Sequence, residues 1–202
     1  FSAGKKTGLI DTTGLKMFRS RRVIDRGQGE TDHGQYDEEE YVFGVSGACP
    51  LYRRSALTDV KICGEYFDND FFMYKEDVDL AWRFQLFGWK CLYCPEILAY
   101  HGRGTGIHDR SKVSGTLKHR GKLSGFQKYY GYKNQRLMQI KNETWGGFLR
   151  NMPWIVGKEI GHFMYMIVRE PYLFKSFGKM ILQIPRMMKK RREIMRRKKR
   201  EL

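Results

Sequence analysis

The sequence predicts an α/β domain that gives way to a run of helices. Two observations carry that prediction. Between Tyr41 and His101, strand-like runs flank one helical stretch; from about Gly125 onward, apolar residues recur at helical spacing. The chain has 202 residues, 41% hydrophobic and 14% aromatic, which suits a folded domain with a true core and excludes a disordered one.

In chain order, Phe1 to about Arg26 shows a weak pattern with several glycines and no initiator Met, so a start in mid-domain, as a fragment, is expected. An acidic linker, "ETDHGQYDEEE", follows from Glu30 to Glu40. "YVFGVSGACPLYRR" then alternates apolar residues and predicts a strand feeding a tight turn. "SALTDV" predicts a short helix capped by Ser55. Leu80, Ala81, Phe84 and Phe87 mark one face of a helix from about Asp77 to Phe87, with Gly88 placed to end it. "KCLYCPEILAYH" predicts two short strands broken by Pro95, and Gly102 to Ser124 a mobile loop. The helical remainder is expected to break at Pro153, Pro171 and Pro185.

Charge is polarised along the chain. The net charge is +16, and "RMMKKRREIMRRKKREL" from Arg186 onward carries ten Lys and Arg against two Glu, half of that excess. Cys91 and Cys94 have a C-x-x-C spacing, but no second half-site lies at a finger-like distance, so reduced, buried structural thiols are expected. No run of 18 apolar residues suggests a membrane-spanning helix.

The chemistry concentrates in "FFMYKEDVDLAWRFQLFGW", Phe71 to Trp89, which sets Glu76, Asp77 and Asp79 among aromatic residues. The helix dipole favours acids in a first turn by about 0.3–1 kcal/mol each, enough for one or two. Three so close together oppose one another's ionisation, which leaves a functional site open beside a structural one. Asp79 stands four residues before Arg83 and predicts an ion pair on the helix surface. The stretch from Asp68 is not an EF-hand, because Phe72 and Met73 occupy positions that need a ligand and a turn glycine. His101 ends a strand-like run and opens into "GRGTG"; as a metal ligand it would need carboxylates from elsewhere.

"VFGVSGACPLYRRSAL", "GEYFDNDFFMYKEDVDLAWRFQLFGWKCLYCPEILAYH" and "YYGYKNQRL", in this order and spacing, resemble the C-terminal half of a family 2 glycosyltransferase of the rhamnosyltransferase-like type. The most specific block is F-D-x-x-F-F-x-Y-x-E-D-x-D-L-x-x-R. The resemblance implies a GT-A, Rossmann-like fold, with residues 1–144 as the acceptor side and the nucleotide-binding half and its Asp-x-Asp motif upstream. Asp77 would be the base that deprotonates the acceptor hydroxyl, with Glu76 and Asp79 on the acceptor side. Gly47 and Ala48 would line the donor-sugar pocket, and His101 would join a divalent metal, Mg2+ or Mn2+, that carries the nucleotide diphosphate. The activity implied is inverting transfer from a nucleotide-sugar donor to a polyprenyl-linked or polysaccharide acceptor in cell-surface glycan synthesis. A chain without the donor half is expected to be inactive alone.

Residues 145–202 are expected to form amphipathic helices with a polybasic tail. Leu173, Phe174, Phe177, Met180, Ile181 and Ile184 form an apolar stripe that a core would also explain. Together with the basic end, it suggests peripheral binding to an anionic membrane surface, at the cytoplasmic face of the plasma membrane. Nucleic acid is the weaker partner, because no nucleic-acid-binding signature accompanies the basic cluster. The rival reading is a non-catalytic membrane- or nucleic-acid-binding module whose acids are structural.

Overall fold

The computed structural model describes residues 8–102 and 113–202. It is mixed α/β, with two small antiparallel sheets against a larger helical part. β1 (Leu15–Met17) and β2 (Val23–Asp25) form a hairpin with Leu15 opposite Asp25. The weakly patterned start of the chain therefore holds strands after all; at three residues each they are too short for alternation to show. β3 (Glu40–Val42) pairs with β4 (Cys91–Tyr93), and a bridge from Leu15 to Gly44 joins the two sheets. The described strands pair antiparallel, so the parallel order of a Rossmann-like sheet is not among them.

α1 (Arg54–Asp59) has its N-cap at Arg53, two residues before the expected cap; Ser55 lies inside its first turn and caps nothing. α2 (Glu76–Leu86) is the central helix. Val78 to Leu86 are all buried, so it is enclosed on every side rather than along one face. Its contact with the strand side depends on Gly44, where a Cβ would stand 2.2 Å from the Ala81 Cβ. Gly88, at φ +84, ends the helix as anticipated. Beyond β4, the second strand expected after Pro95 does not form. Cys49 and Cys63 are exposed and Cys91 and Cys94 half-buried, all four free, where the apolar run had suggested buried thiols.

The mobile loop expected over Gly102 to Ser124 contains a helix, α3 (Val113–Lys122); the remainder, at 103–112, falls outside the described residues. Tertiary contacts outweigh its glycines: Arg120 chelates Glu170 and Arg22 donates to the Thr116 hydroxyl. α4 (Gly125–Asn142) starts from a reciprocal capping box between Ser124 and Gln127. α5 (Trp145–Arg169) starts at Thr144, whose hydroxyl accepts from the Gly147 N–H at 3.0 Å. A 3-10 turn (Pro171–Phe174) leads into α6 (Lys175–Arg197). Pro153 and Pro185 do not break their helices. Both lie on exposed faces, where water can satisfy the carbonyl that each proline orphans.

α6 returns across α4 and sends Met187 and Ile194 into the core beside Val60, Leu80 and Leu137. The basic end is thereby tied into the body. Arg191 donates to the carbonyls of Ile140 and Glu143, and Arg197 to that of Lys61. The N–H groups of Lys199 and Arg200 reach the Leu86 carbonyl at 2.8 and 3.2 Å, and the Arg200 guanidinium reaches that of Gln85. Cationic donors thus cap the C-terminus of α2, where carbonyls and the helix dipole favour them. Among the described residues, no helix is long and apolar enough to cross a membrane.

Candidate active site

The segment leading into α2 is held in a conformation that side-chain-bearing residues rarely adopt. Phe72, Tyr74 and Lys75 have φ values of 65°, 65° and 73°. Such backbone costs on the order of 1–3 kcal/mol per residue and persists only where its surroundings enforce it. The enforcing group is Asn134 on α4, whose buried amide donates to the carbonyls of Phe71, Met73 and Tyr74 at 2.9, 2.7 and 2.9 Å. Gln127 adds a bond to the Tyr74 hydroxyl at 2.6 Å. Phe72 is turned outward against the rings of Phe126 and Tyr130. Asn134 was not singled out as a site residue, although it sits within the "YYGYKNQRL" block.

The three acids of the first turn have three different surroundings. Glu76 is half-buried, and its Oε2 has no hydrogen-bond partner among the described residues. Burial pushes its carboxyl above the ordinary glutamate range, and the neighbouring Asp77 pushes it further. Asp77 is held by backbone: its Oδ2 accepts from the Gly47 N–H at 3.1 Å and its Oδ1 from the Val78 N–H at 2.7 Å. Asp79 is fully buried, so its expected place on the helix surface is corrected. Its Oδ2 meets Arg83 at 3.2 Å and Lys141 at 2.9 Å, and its Oδ1 accepts from Asn142 at 2.7 Å. The Arg83 pair was legible from spacing; Lys141 and Asn142 were not.

Asp79 belongs to a buried ionic chain that ties α2 to α4 and α6. Lys141 also binds Asp68, and Lys190 on α6 binds Asp68 at 2.6 Å and Glu65 at 2.8 Å. Burial alone would raise the Asp68 carboxyl, but Lys141 and Lys190 outweigh it and hold it below the ordinary aspartate value. Part of the supposed membrane-facing tail is therefore an internal counter-ion.

A cleft of about 950 Å³ opens beside this helix, lined from residues 8–14, 45–46, 48–53, 89–95 and 97–101 together with others. Ala48 and His101 both line it, whereas Gly47, one residue along, turns its N–H to Asp77. Tyr52 connects the two places. It lines the cleft, stacks on Phe84 at 5.7 Å, and its phenol is pushed up by burial and then by the charge of Asp77. The structure thus joins Asp77 to Gly47, sets Ala48, Tyr52 and His101 on the wall of the adjoining cleft, and keeps Asp79 apart.

His101 Nδ1 lies 2.9 Å from Asp11 Oδ2, a partner 90 residues away that no local pattern could reveal. An imidazole and a carboxylate are ordinary metal ligands. Here they face each other, and no group of three or more His, Cys, Asp or Glu able to hold a metal occurs among the described residues. The described residues around His101 do not by themselves make a metal site.

Sequence comparison supports a glycosyltransferase-like relationship over part of the chain. Over 78 residues it is 43% identical to the N-acetylglucosaminyl-diphospho-decaprenol L-rhamnosyltransferase of Mycobacterium tuberculosis strain CDC 1551 / Oshkosh, with the same figures for its counterpart in strain ATCC 25618 / H37Rv. The matched stretch covers 38% of this chain, and the chain spans 24% of the length of each relative. No family model and no solved structure matches.

Proposed function

We propose that this chain is the acceptor side of an inverting glycosyltransferase with a GT-A-type site, and that Asp77 is its general base. The observation that carries the reading is the placement of Asp77. Its carboxylate is fixed by two backbone N–H groups at the N-terminus of a rigid helix, next to a cleft large enough for a sugar and part of its carrier. In the proposed step, an acceptor hydroxyl gives its proton to Asp77. The oxygen attacks the anomeric carbon of the donor sugar, and the bond to the nucleoside diphosphate breaks on the opposite face, so the configuration inverts. Glu76, half-buried beside Asp77 with its Oε2 unpartnered among the described residues, is placed to hold an acceptor hydroxyl.

The relatives' names point to the substrate class: a nucleotide-sugar donor and a prenyl-diphosphate-linked sugar as acceptor. Such an acceptor implies work at a membrane surface, here proposed as the cytoplasmic face. A divalent metal for the donor diphosphate remains part of the proposal through His101. It needs ligands beyond His101 and Asp11, and the step above does not depend on it.

Asp77→Asn tests the reading in the full-length natural protein, assayed for sugar transfer to a prenyl-diphosphate-linked acceptor. Transfer should fall about 10²–10⁴-fold, the usual loss for a general base, with an unchanged circular dichroism spectrum. Near-normal transfer by the folded variant would remove Asp77 from the chemistry.

A further inference from the structure

α5 is amphipathic in the reverse sense for a helix that covers a core. At about 100° per residue, Trp145, Leu149, Val156, Ile160, Phe163 and Ile167 fall within a band of about 60°. All six are exposed, by 41% to 75%, and Met152, Met164 and Val168 extend the exposed apolar surface on either side of the band. The inward face is narrow and mixes Ile155 and Met166 with polar residues. Asn151 is buried and accepts from Arg19 at 3.1 Å, Glu159 binds Arg136, and His162 packs against the Tyr132 ring at 5.1 Å. The outward stripe runs for about 33 Å. It continues past the end of α5, because Phe163 meets Phe174 at 6.2 Å and Phe174 stacks on Phe177 at 5.8 Å.

Charge identifies what covers this face. From Trp145 to Arg192 the sequence has two acids, and both are drawn into the body: Glu159 by Arg136 and Lys158, Glu170 by Arg120 and Lys128. Arg150, Arg169, Lys175 and Lys179 on the same elements are exposed. The surface is therefore an apolar stripe accompanied by cations with no exposed acid. A second copy docking through the same patch would set cations against cations. A layer of anionic headgroups over acyl chains matches both features, and Trp145 on the stripe is of the aromatic type enriched at that boundary.

We propose that the outward face of α5, continued by Phe174, lies in the interfacial layer of an anionic lipid bilayer with the helix axis along the membrane plane. The face is centred on α5 and overlaps the Leu173–Ile184 stripe at Phe174, whereas Leu173 of that stripe and Met187, Lys190 and Ile194 of the basic end are buried. It agrees with a prenyl-linked acceptor but does not need the transfer reaction.

The test is flotation of the full chain with vesicles of phosphatidylcholine alone and of phosphatidylcholine with phosphatidylglycerol. Wild-type chain should float with the anionic vesicles and at least about tenfold less with the neutral ones. The exposed double substitution Leu149→Glu/Ile160→Glu should reduce anionic binding about tenfold or more without changing the thermal melt. Leu149→Phe/Ile160→Leu should bind as wild type does. Equal flotation of the Glu variant and the wild type would overturn the proposal, as would equal binding to both vesicles. So would a wild-type chain that ignores lipid and sediments as a dimer dispersed by Ile160→Glu. Because no transfer is measured, these outcomes are independent of the fate of the Asp77 assignment.

Discussion

α2 and α5 both carry polar groups inward but place their apolar residues oppositely. α2 is enclosed on every side, yet it holds an Asp and an Arg with almost no exposure, and each finds partners inside. α5 sends polar groups inward and leaves its apolar stripe outside. Burial of charge is tolerable in α2 because the ions form a network with hydrogen-bonded ends; broken on one side, such a pair typically costs about 3–5 kcal/mol. Exposure of apolar surface along α5 gains nothing in water, and it is this exposure that the proposed lipid contact would relieve. The period of 3.6 is the same in both helices, so periodicity locates a face without saying what it faces.

The largest expected effect comes from the region where the two arrangements meet, α6. Truncation before Arg186 removes Met187, Ile194, the Lys190 counter-ion and the donors that cap α2. Each lost core side chain costs about 2–5 kcal/mol, and total stability is typically about 5–15 kcal/mol. The truncated chain should therefore be unfolded or aggregated by circular dichroism and light scattering. A cooperative melt in that truncation would return the basic end to the status of a free tail.

An intermediate effect is expected at Asn134. Asn134→Ala removes the amide that holds three carbonyls of the strained lead-in, and the loss should be about 1–3 kcal/mol by urea denaturation. Since that loop sets the start of α2, transfer should fall in kcat more than the stability loss explains. An unchanged kcat would make Asn134 a stability residue alone.

The smallest effect is expected on the outer face of α5. Ile160→Glu should change stability by less than about 0.5 kcal/mol, because nothing inside loses a partner. A loss of 2 kcal/mol or more, read by urea denaturation, would show the stripe to be a core face and erase the contrast between the helices.

Local features were legible in the sequence. The start and stop of α2 fell within about a residue of their places, the Gly88 stop held, and the Asp79–Arg83 pair followed from spacing. What could not be read was long-range. Lys141 lies 62 residues from Asp79 and Asp11 lies 90 from His101, and neither separation leaves a local mark. Pro153 and Pro185 misled for a related reason: a proline breaks a helix or spares it according to whether water reaches the freed carbonyl, which is a property of the fold. The basic end misled because a lysine that neutralises a buried carboxylate and one that meets a headgroup look the same in sequence.

The division of labour within one helical turn is the central claim, and a paired substitution tests it most directly. Asp77→Asn and Asp79→Asn differ by two positions and by the same chemical change. Urea denaturation of both variants beside wild type should leave Asp77→Asn within about 0.5 kcal/mol of wild type. Asp79→Asn should lose about 3 kcal/mol or more, because Lys141 and Arg83 are left with a buried charge deficit. Equal losses in the two variants, or a larger loss at Asp77, would contradict the account.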